Sequence, residues 1–206
     1  MAPSSLPSAS SPGETEAAVE TPRVVTDALF QSRTITVFGE ITDRLARNTV
    51  AQLLALDAAG NAPIRMFVSS PGGHVESGDA IHDTIRFISA PVVMIGSGWV
   101  ASAGALIYLA AKKEYRYCLR NTRFLLHQPI GGASGSSSDL EIHAREKLQM
   151  RRRLNLIISR ETGQSLERVE RDTDRDYWLS ADEAQTYGIV THIVDRANEL
   201  RLPATG

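Results

Sequence analysis

The chain has 206 residues, 42% of them hydrophobic, enough for one substantial core and too short for two. A formal net charge of −2, with no long like-charged tail, leaves no basic footprint for nucleic acid. No uncharged apolar run reaches membrane-spanning length, and the single cysteine, Cys118, has no partner for an internal disulfide. That fits a reducing compartment, with Cys118 a small buried apolar residue, since no activating base stands near it in sequence.

Residues 1–23 are rich in Ser, Pro, Ala and Glu, and are expected to be a disordered tail without the features of a secretory signal. One folded domain is expected over residues 24–198, followed by a short tail, 199–206. Thr34–Phe38 reads as a strand and Arg44–Ala58 as a helix with apolar positions at Leu45, Leu53, Leu54 and Leu56. Ile64–Val68 and Val92–Ile95 have the length and β-rich composition of buried strands. Between them, Val75–Ile88 shows helical spacing at Ile81, Ile85 and Ile88. Strand–helix–strand repetition implies an α/β fold with a largely parallel sheet and right-handed crossovers. Ala101–Ala111 follows as a core helix, and Arg123–Leu126 as a short buried strand that His127 ends.

Gly131–Ser138 is a glycine and serine loop. Ser138 with Glu141 then gives a capping-box signature for a long helix, 139–161, that Thr162-Gly163 closes. This helix is too long and too charged to lie wholly inside a small globule. Leu140, Ala144, Leu148, Arg151, Leu154 and Ile158 trace one stripe that needs a partner surface, on its own domain or beyond it.

Three residues carry the chemistry. Ser102 stands in Gly98-Trp99-Val100-Ala101-Ser102-Ala103-Gly104-Ala105, a glycine-punctuated approach to an apolar helix whose first N–H groups are free to stabilise an oxyanion. His127 caps a strand, and Asp176 stands where a charged run meets Tyr177-Trp178-Leu179. Each setting alone has an ordinary structural explanation, such as helix capping or a satisfied core histidine. His74, His82, His143 and His192 read that way, lacking a matching motif. The order Ser, His, Asp excludes α/β-hydrolases, chymotrypsin-like proteases and subtilisins, and Val100 replaces the first glycine of a G-x-S-x-G elbow.

With its surrounding motifs, the order resembles the proteolytic subunit of the Clp protease, the ClpP family. The matching pieces are Ser69-Ser70-Pro71-Gly72-Gly73, Ala101 to Ala105, His127-Gln128-Pro129, Gly131-Gly132, Asp139 to Arg145, and Thr162-Gly163-Gln164. Asp172 to Asp176, Ser180 to Ala184 and Tyr187-Gly188 complete them, so the resemblance spans 34–194. It implies a ClpP/crotonase-like spiral of ββα units with the long helix as a protruding handle. It also implies a serine endopeptidase with Ser102 as nucleophile, His127 as general base and acid, and Asp176 orienting the histidine.

By the same resemblance the oxyanion hole is formed by the N–H groups of Gly73 and Ala103, the latter in place of the family's usual methionine. An extended substrate is expected to pair along His74, Val75, Pro129, Ile130 and Gly131. Asp174 and Arg175 are implied to link the site to contact between rings, and residues 1–23 are either a removable propeptide, as the resemblance implies, or a plain tail. The implied assembly is two stacked heptameric rings of this or paralogous subunits in the cytoplasm, fed with unfolded proteins by an AAA+ unfoldase of the Clp type. ATP would be that partner's cofactor, because the chain has no G-x-x-x-x-G-K-[ST] stretch, and no metal or other cofactor is expected. The short segment before Thr34, and Trp99 in place of a smaller polar residue, leave open a regulatory or templating subunit. A crotonase-like acyl-CoA enzyme is a third reading, disfavoured because that class uses no such triad.

Overall fold

The computed structural model describes residues 21–129 and 134–203. The tail before residue 21 and the substrate positions Ile130 and Gly131 lie outside the described residues. Helix α1 (Arg23–Gln31) comes first and buries none of its side chains. The backbone then alternates through β1 (Thr34–Phe38), α2 (Asp43–Ala58), β2 (Ile64–Ser70), α3 (Val75–Phe87), β3 (Val92–Ala101) and α4 (Ala103–Leu109). Two further strands, β4 (Arg116–Leu119) and β5 (Arg123–Leu126), lead to the long helix α5 (Ser137–Thr162). The chain ends through α6 (Leu166–Asp172), β6 (Tyr177–Leu179), α7 (Ala181–Tyr187) and β7 (His192–Val194).

The strands form one sheet in the order β1-β2-β3-β4-β7, parallel throughout. The sequence reads β3 only as far as Ile95, yet the strand runs on to Ala101 and changes neighbours on the way. Met94 to Gly96 pair with β4, whereas Trp99 to Ala101 pair with β5, also in parallel. Gly98 between them has φ +62°, which a side-chain-bearing residue rarely adopts. The glycine-punctuated stretch before Ser102 thus lets one strand swerve from β4 to β5.

Both faces of β3 are covered, which explains its unbroken apolar run. Met94 joins the main core with Ile35, Val68, Ile81 and Ile107, while Val93 and Ile95 face a smaller cluster with Tyr117 and Val194. In α2 the buried side chains are Ala46, Thr49, Leu53 and Leu56; Leu54, expected inside, is 44% exposed. The inner face thus mixes Ala46 and Thr49 with Leu53 and Leu56, a choice that hydrophobicity alone does not reveal.

Helix α5 starts two residues before the sequence boundary. Its capping box is Ser136 with Asp139, not Ser138 with Glu141: Asp139 N–H donates to Ser136 Oγ at 3.2 Å, and the Asp139 carboxylate accepts from the Ser136 N–H. Gly163, at φ +81°, ends it as expected. The apolar stripe divides in two: Leu140, Ala144 and Leu148 are exposed, and burial begins at Asn155 and Ile158. The first half of the helix therefore projects while the second packs on its own domain.

Candidate active site

Strand register brings the three sequence-predicted residues together. β5 and β6 are antiparallel with Leu126 opposite Tyr177, so the next residue on one and the preceding one on the other, His127 and Asp176, face each other. His127 Nδ1 lies 3.7 Å from Asp176 Oδ1, with the imidazole 12% exposed and the carboxylate 64% exposed. β3 lies on the other side of β5, with Ala101 beside Leu125. The N–H of the next residue, Ser102, donates to the Leu125 carbonyl at 2.9 Å. Ser102 and His127 line the same pocket.

Ser102 has φ +54° and ψ −121°, in a region that only glycine occupies without strain. A non-glycine residue held there costs roughly 1–3 kcal/mol. The sequence lacks the first glycine of a G-x-S-x-G elbow, yet the backbone makes an equivalent sharp turn from strand to helix. Gly72 accounts for the missing space, since it packs directly against the Ser102 side chain.

Gly73, at φ +147°, forms a parallel bridge with Ile41. Ile41 N–H donates to Gly72 O and His74 N–H donates to Ile41 O, both at 2.8 Å. Neither bond uses the Gly73 N–H. A Cβ on Gly73 would stand 2.4 Å from Ile41 O, so contact with the Ile41 backbone by itself requires glycine here. Ala103, the first residue of α4, has an N–H without an acceptor inside the helix, as every first-turn residue does.

The pocket beside Ser102 is a small cleft partly open to solvent. Val75, Ala103, Leu106, Leu126, Leu154 and Ile158 give it apolar walls, and Pro129 stands at its rim. Two of the expected substrate positions, Val75 and Pro129, thus border it. His74 does not, and it is no core residue either: its side chain is 54% exposed, with Nδ1 2.8 Å from Ser77 Oγ and 3.1 Å from Asp43, and Nε2 3.1 Å from Glu76. The Ser77 hydroxyl, followed by His74, holds the Asp43 carboxyl below its usual range. Of the other histidines, only His82 is buried; His192 stacks on Tyr117, and His143 is exposed.

The three acids of the Asp172–Asp176 motif separate by geometry. Asp172 accepts from Tyr187 Oη, Asp174 pairs with Arg151 of α5 at 3.2 Å, and Asp176 faces His127. Arg175 is exposed. Trp99 is not part of the pocket wall; it lies beside Arg123, whose guanidinium covers the Trp178 ring at 4.4 Å. Sequence reasoning missed Gly72 as a packing partner of Ser102 and Arg151 as the partner of Asp174.

The family model for the Clp protease matches residues 18–197. The ATP-dependent Clp protease proteolytic subunit 3 of Rhizobium meliloti is 59% identical over 172 residues, 84% of this chain and 88% of that protein. Proteolytic subunit 2 of Gluconobacter oxydans is 57% identical over 175 residues, 84% of this chain and 78% of the relative. Among solved structures, ClpP1 from Listeria monocytogenes superposes with a TM-score of 0.78 at 47% identity, covering 86% of this chain and 99% of the other. Sequence, family model and fold agree: the chain belongs to the Clp protease family of serine peptidases, as a proteolytic subunit.

Proposed function

We propose that the chain hydrolyses peptide bonds in unfolded proteins through an acyl-enzyme on Ser102. The observation that carries this reading is the register of β3, β5 and β6, which sets Ser102, His127 and Asp176 side by side at the ends of three paired strands. Ser102 Oγ attacks the substrate carbonyl while His127 accepts its proton and then delivers it to the leaving amine. Asp176 keeps the imidazole in the required tautomer and stabilises the imidazolium. The Gly73 and Ala103 N–H groups receive the developing oxyanion, and water, activated by the same histidine, releases the acyl group. The chemistry proposed uses side chains and main chain only. The apolar pocket accepts a hydrophobic side chain next to the scissile bond.

The wider setting in this proposal is a closed chamber of two stacked heptameric rings. An ATP-driven unfoldase threads chains into it, and Arg175 reaches the facing subunit. The N-terminal tail is a removable propeptide or a plain tail.

One observation favours a second reading. The 3.7 Å between His127 and Asp176 exceeds a hydrogen bond, so the isolated chain holds the triad slack. In that reading the chain chiefly templates or regulates an active paralogue, and its own triad tightens only on assembly. Purified chain assayed on a fluorogenic peptide, alone and with a paralogous ring, separates the two. Ser102→Ala tests both: it should abolish fluorophosphonate labelling and the chain's own hydrolysis while leaving assembly intact. Activity within tenfold of wild type would overturn the assignment.

A further inference from the structure

Asn155 is 3% exposed and Thr173 fully buried, and the two meet where the handle helix α5 crosses the end of α6. Thr173 Oγ1 lies 3.1 Å from Asn155 Oδ1 and 2.8 Å from the Val169 carbonyl, while Asn155 Nδ2 is buried without a partner. A hydroxyl has one hydrogen, and here it goes to Val169 O. Turning the Asn155 amide end for end lets one Nδ2 hydrogen donate to Thr173 Oγ1 while the hydroxyl hydrogen goes to Val169 O. An aliphatic residue would fill the same space with no polar group to satisfy, so the amide's value lies in what it holds.

What it holds is the loop behind His127. Gln128, the residue after His127, donates its N–H to Thr173 O at 2.8 Å and its Nε2 to Asp174 O at 2.7 Å. Three residues beyond Thr173 stands Asp176 itself. The same short loop therefore grips the chain next to His127 and carries its carboxylate partner. On the surface Arg151, one turn before Asn155 on α5, adds a second tie to Asp174 at 3.2 Å.

We propose that Asn155 and Thr173 are a positioning pair, fixing the 173–176 loop to the handle helix and so setting the His127–Asp176 separation. The proposal rests on the reading of Ser102, His127 and Asp176 as the catalytic groups. A displacement of α5 at Asn155 is passed through one buried hydrogen bond to the groups that activate Ser102. Misplacement of such groups by about an ångström costs on the order of a hundredfold in rate.

The test compares Thr173→Val, Thr173→Ser and the double variant Thr173→Val/Asn155→Leu. For each, the limiting rate and half-saturating concentration of fluorophosphonate acylation at Ser102 are measured, together with thermal melting. Thr173→Val is isosteric but removes the hydroxyl and strands the amide, so it should lower both stability and acylation rate. Thr173→Ser keeps the hydroxyl and should acylate within about threefold of wild type. The double variant makes both positions apolar and should recover melting. Its limiting rate should stay down about tenfold or more, with half-saturation unchanged. Recovery of that rate along with melting would show the pair to be merely structural and overturn the proposal. If Ser102→Ala proves still active or still labelled, the triad reading falls instead, a distinct failure.

Discussion

Gly72 and Ser102 are in direct contact: a Cβ on Gly72 would stand 2.6 Å from Ser102 Cβ and 3.2 Å from its Oγ. Gly72 also has φ +99°, so it is needed both for its conformation and for the space it leaves. Gly72→Ala must push the nucleophile aside or shift the loop that positions Gly73. A fall of about a hundredfold in acylation rate is expected, since the reacting atoms move by about an ångström. Gly163→Ala provides the control: it has φ +81° but no atom within 4 Å of the added carbon. It should cost about 1 kcal/mol in stability and leave the acylation rate unchanged. Equal kinetic losses in both variants would mean that backbone strain, not contact with Ser102, is responsible.

The pocket beside Ser102 predicts a preference that can be altered from α5. Leu154 and Ile158 form the wall furthest from the nucleophile in sequence, while Ser102 and His127 stand at its polar side. Leu154→Phe narrows the pocket without touching the proposed catalytic groups. Cleavage after phenylalanine should fall about tenfold relative to cleavage after alanine, because a lost hydrophobic fit of this size is worth roughly 1–3 kcal/mol. The ratio of kcat/KM values on two otherwise identical peptides reads this directly. An unchanged ratio would place the side chain's binding site elsewhere.

The fold class and the three candidate residues that converge were legible because their signals are local. Apolar runs mark β1, β2 and the start of β3, and short motifs mark Ser102, His127 and Asp176. Register is not local. Only pairing shows that β3 exchanges β4 for β5 around Gly98, or that three-residue β6 brings Asp176 to His127. For the same reason, motif position alone chose Asp176 over Asp172 and Asp174, whereas partners distinguish them in the fold. Backbone strain at Ser102 has no compositional mark beyond nearby glycines. Arg116, a charged residue opening a short strand, is fully buried, which its residue type gives no reason to expect.

Arg116 supports a prediction about acid stability. Its guanidinium donates to Leu109 O and Ala111 O at 2.8 Å and to Glu161 O at 2.9 Å, and it pairs with the Glu161 carboxylate. Burial pulls the Arg116 pKa down, but a guanidinium stays charged at any working pH, so the titrating member is Glu161. Burial pushes Glu161 up, yet hydrogen bonds from Arg160 and Arg116 outweigh it and hold the carboxyl below its ordinary 4.5. A depressed carboxyl stabilises the fold fully above that value and loses the contribution as pH falls through the native pKa. Wild type should thus melt above Glu161→Gln at neutral pH, with the gap closing below about pH 4.5. Arg116→Met removes the donor from three carbonyls and leaves the Glu161 carboxylate short of its buried partner, and should cost about 3–5 kcal/mol. A gap that does not narrow as the pH falls below 4.5, or a Met variant as stable as wild type, would contradict the account.

Cys118 gives the final prediction, because its environment should make it chemically silent. It lies in β4, fully buried within the main core, with Gly96 beside it across the strand pair. Burial pushes the thiol up to about 12, with Arg120 only partly opposing. At pH 8 the thiolate fraction is then about a thousandfold below that of a free cysteine, before access is considered. Iodoacetamide should leave the native chain unmodified over hours and alkylate it fully once unfolded. Between those limits, in rising denaturant, modification should follow the unfolding curve measured by circular dichroism. Mass spectrometry of the native protein showing alkylation at the rate of a free thiol would mean that β4 opens locally, and that the sheet between β3 and β7 is looser than its packing implies.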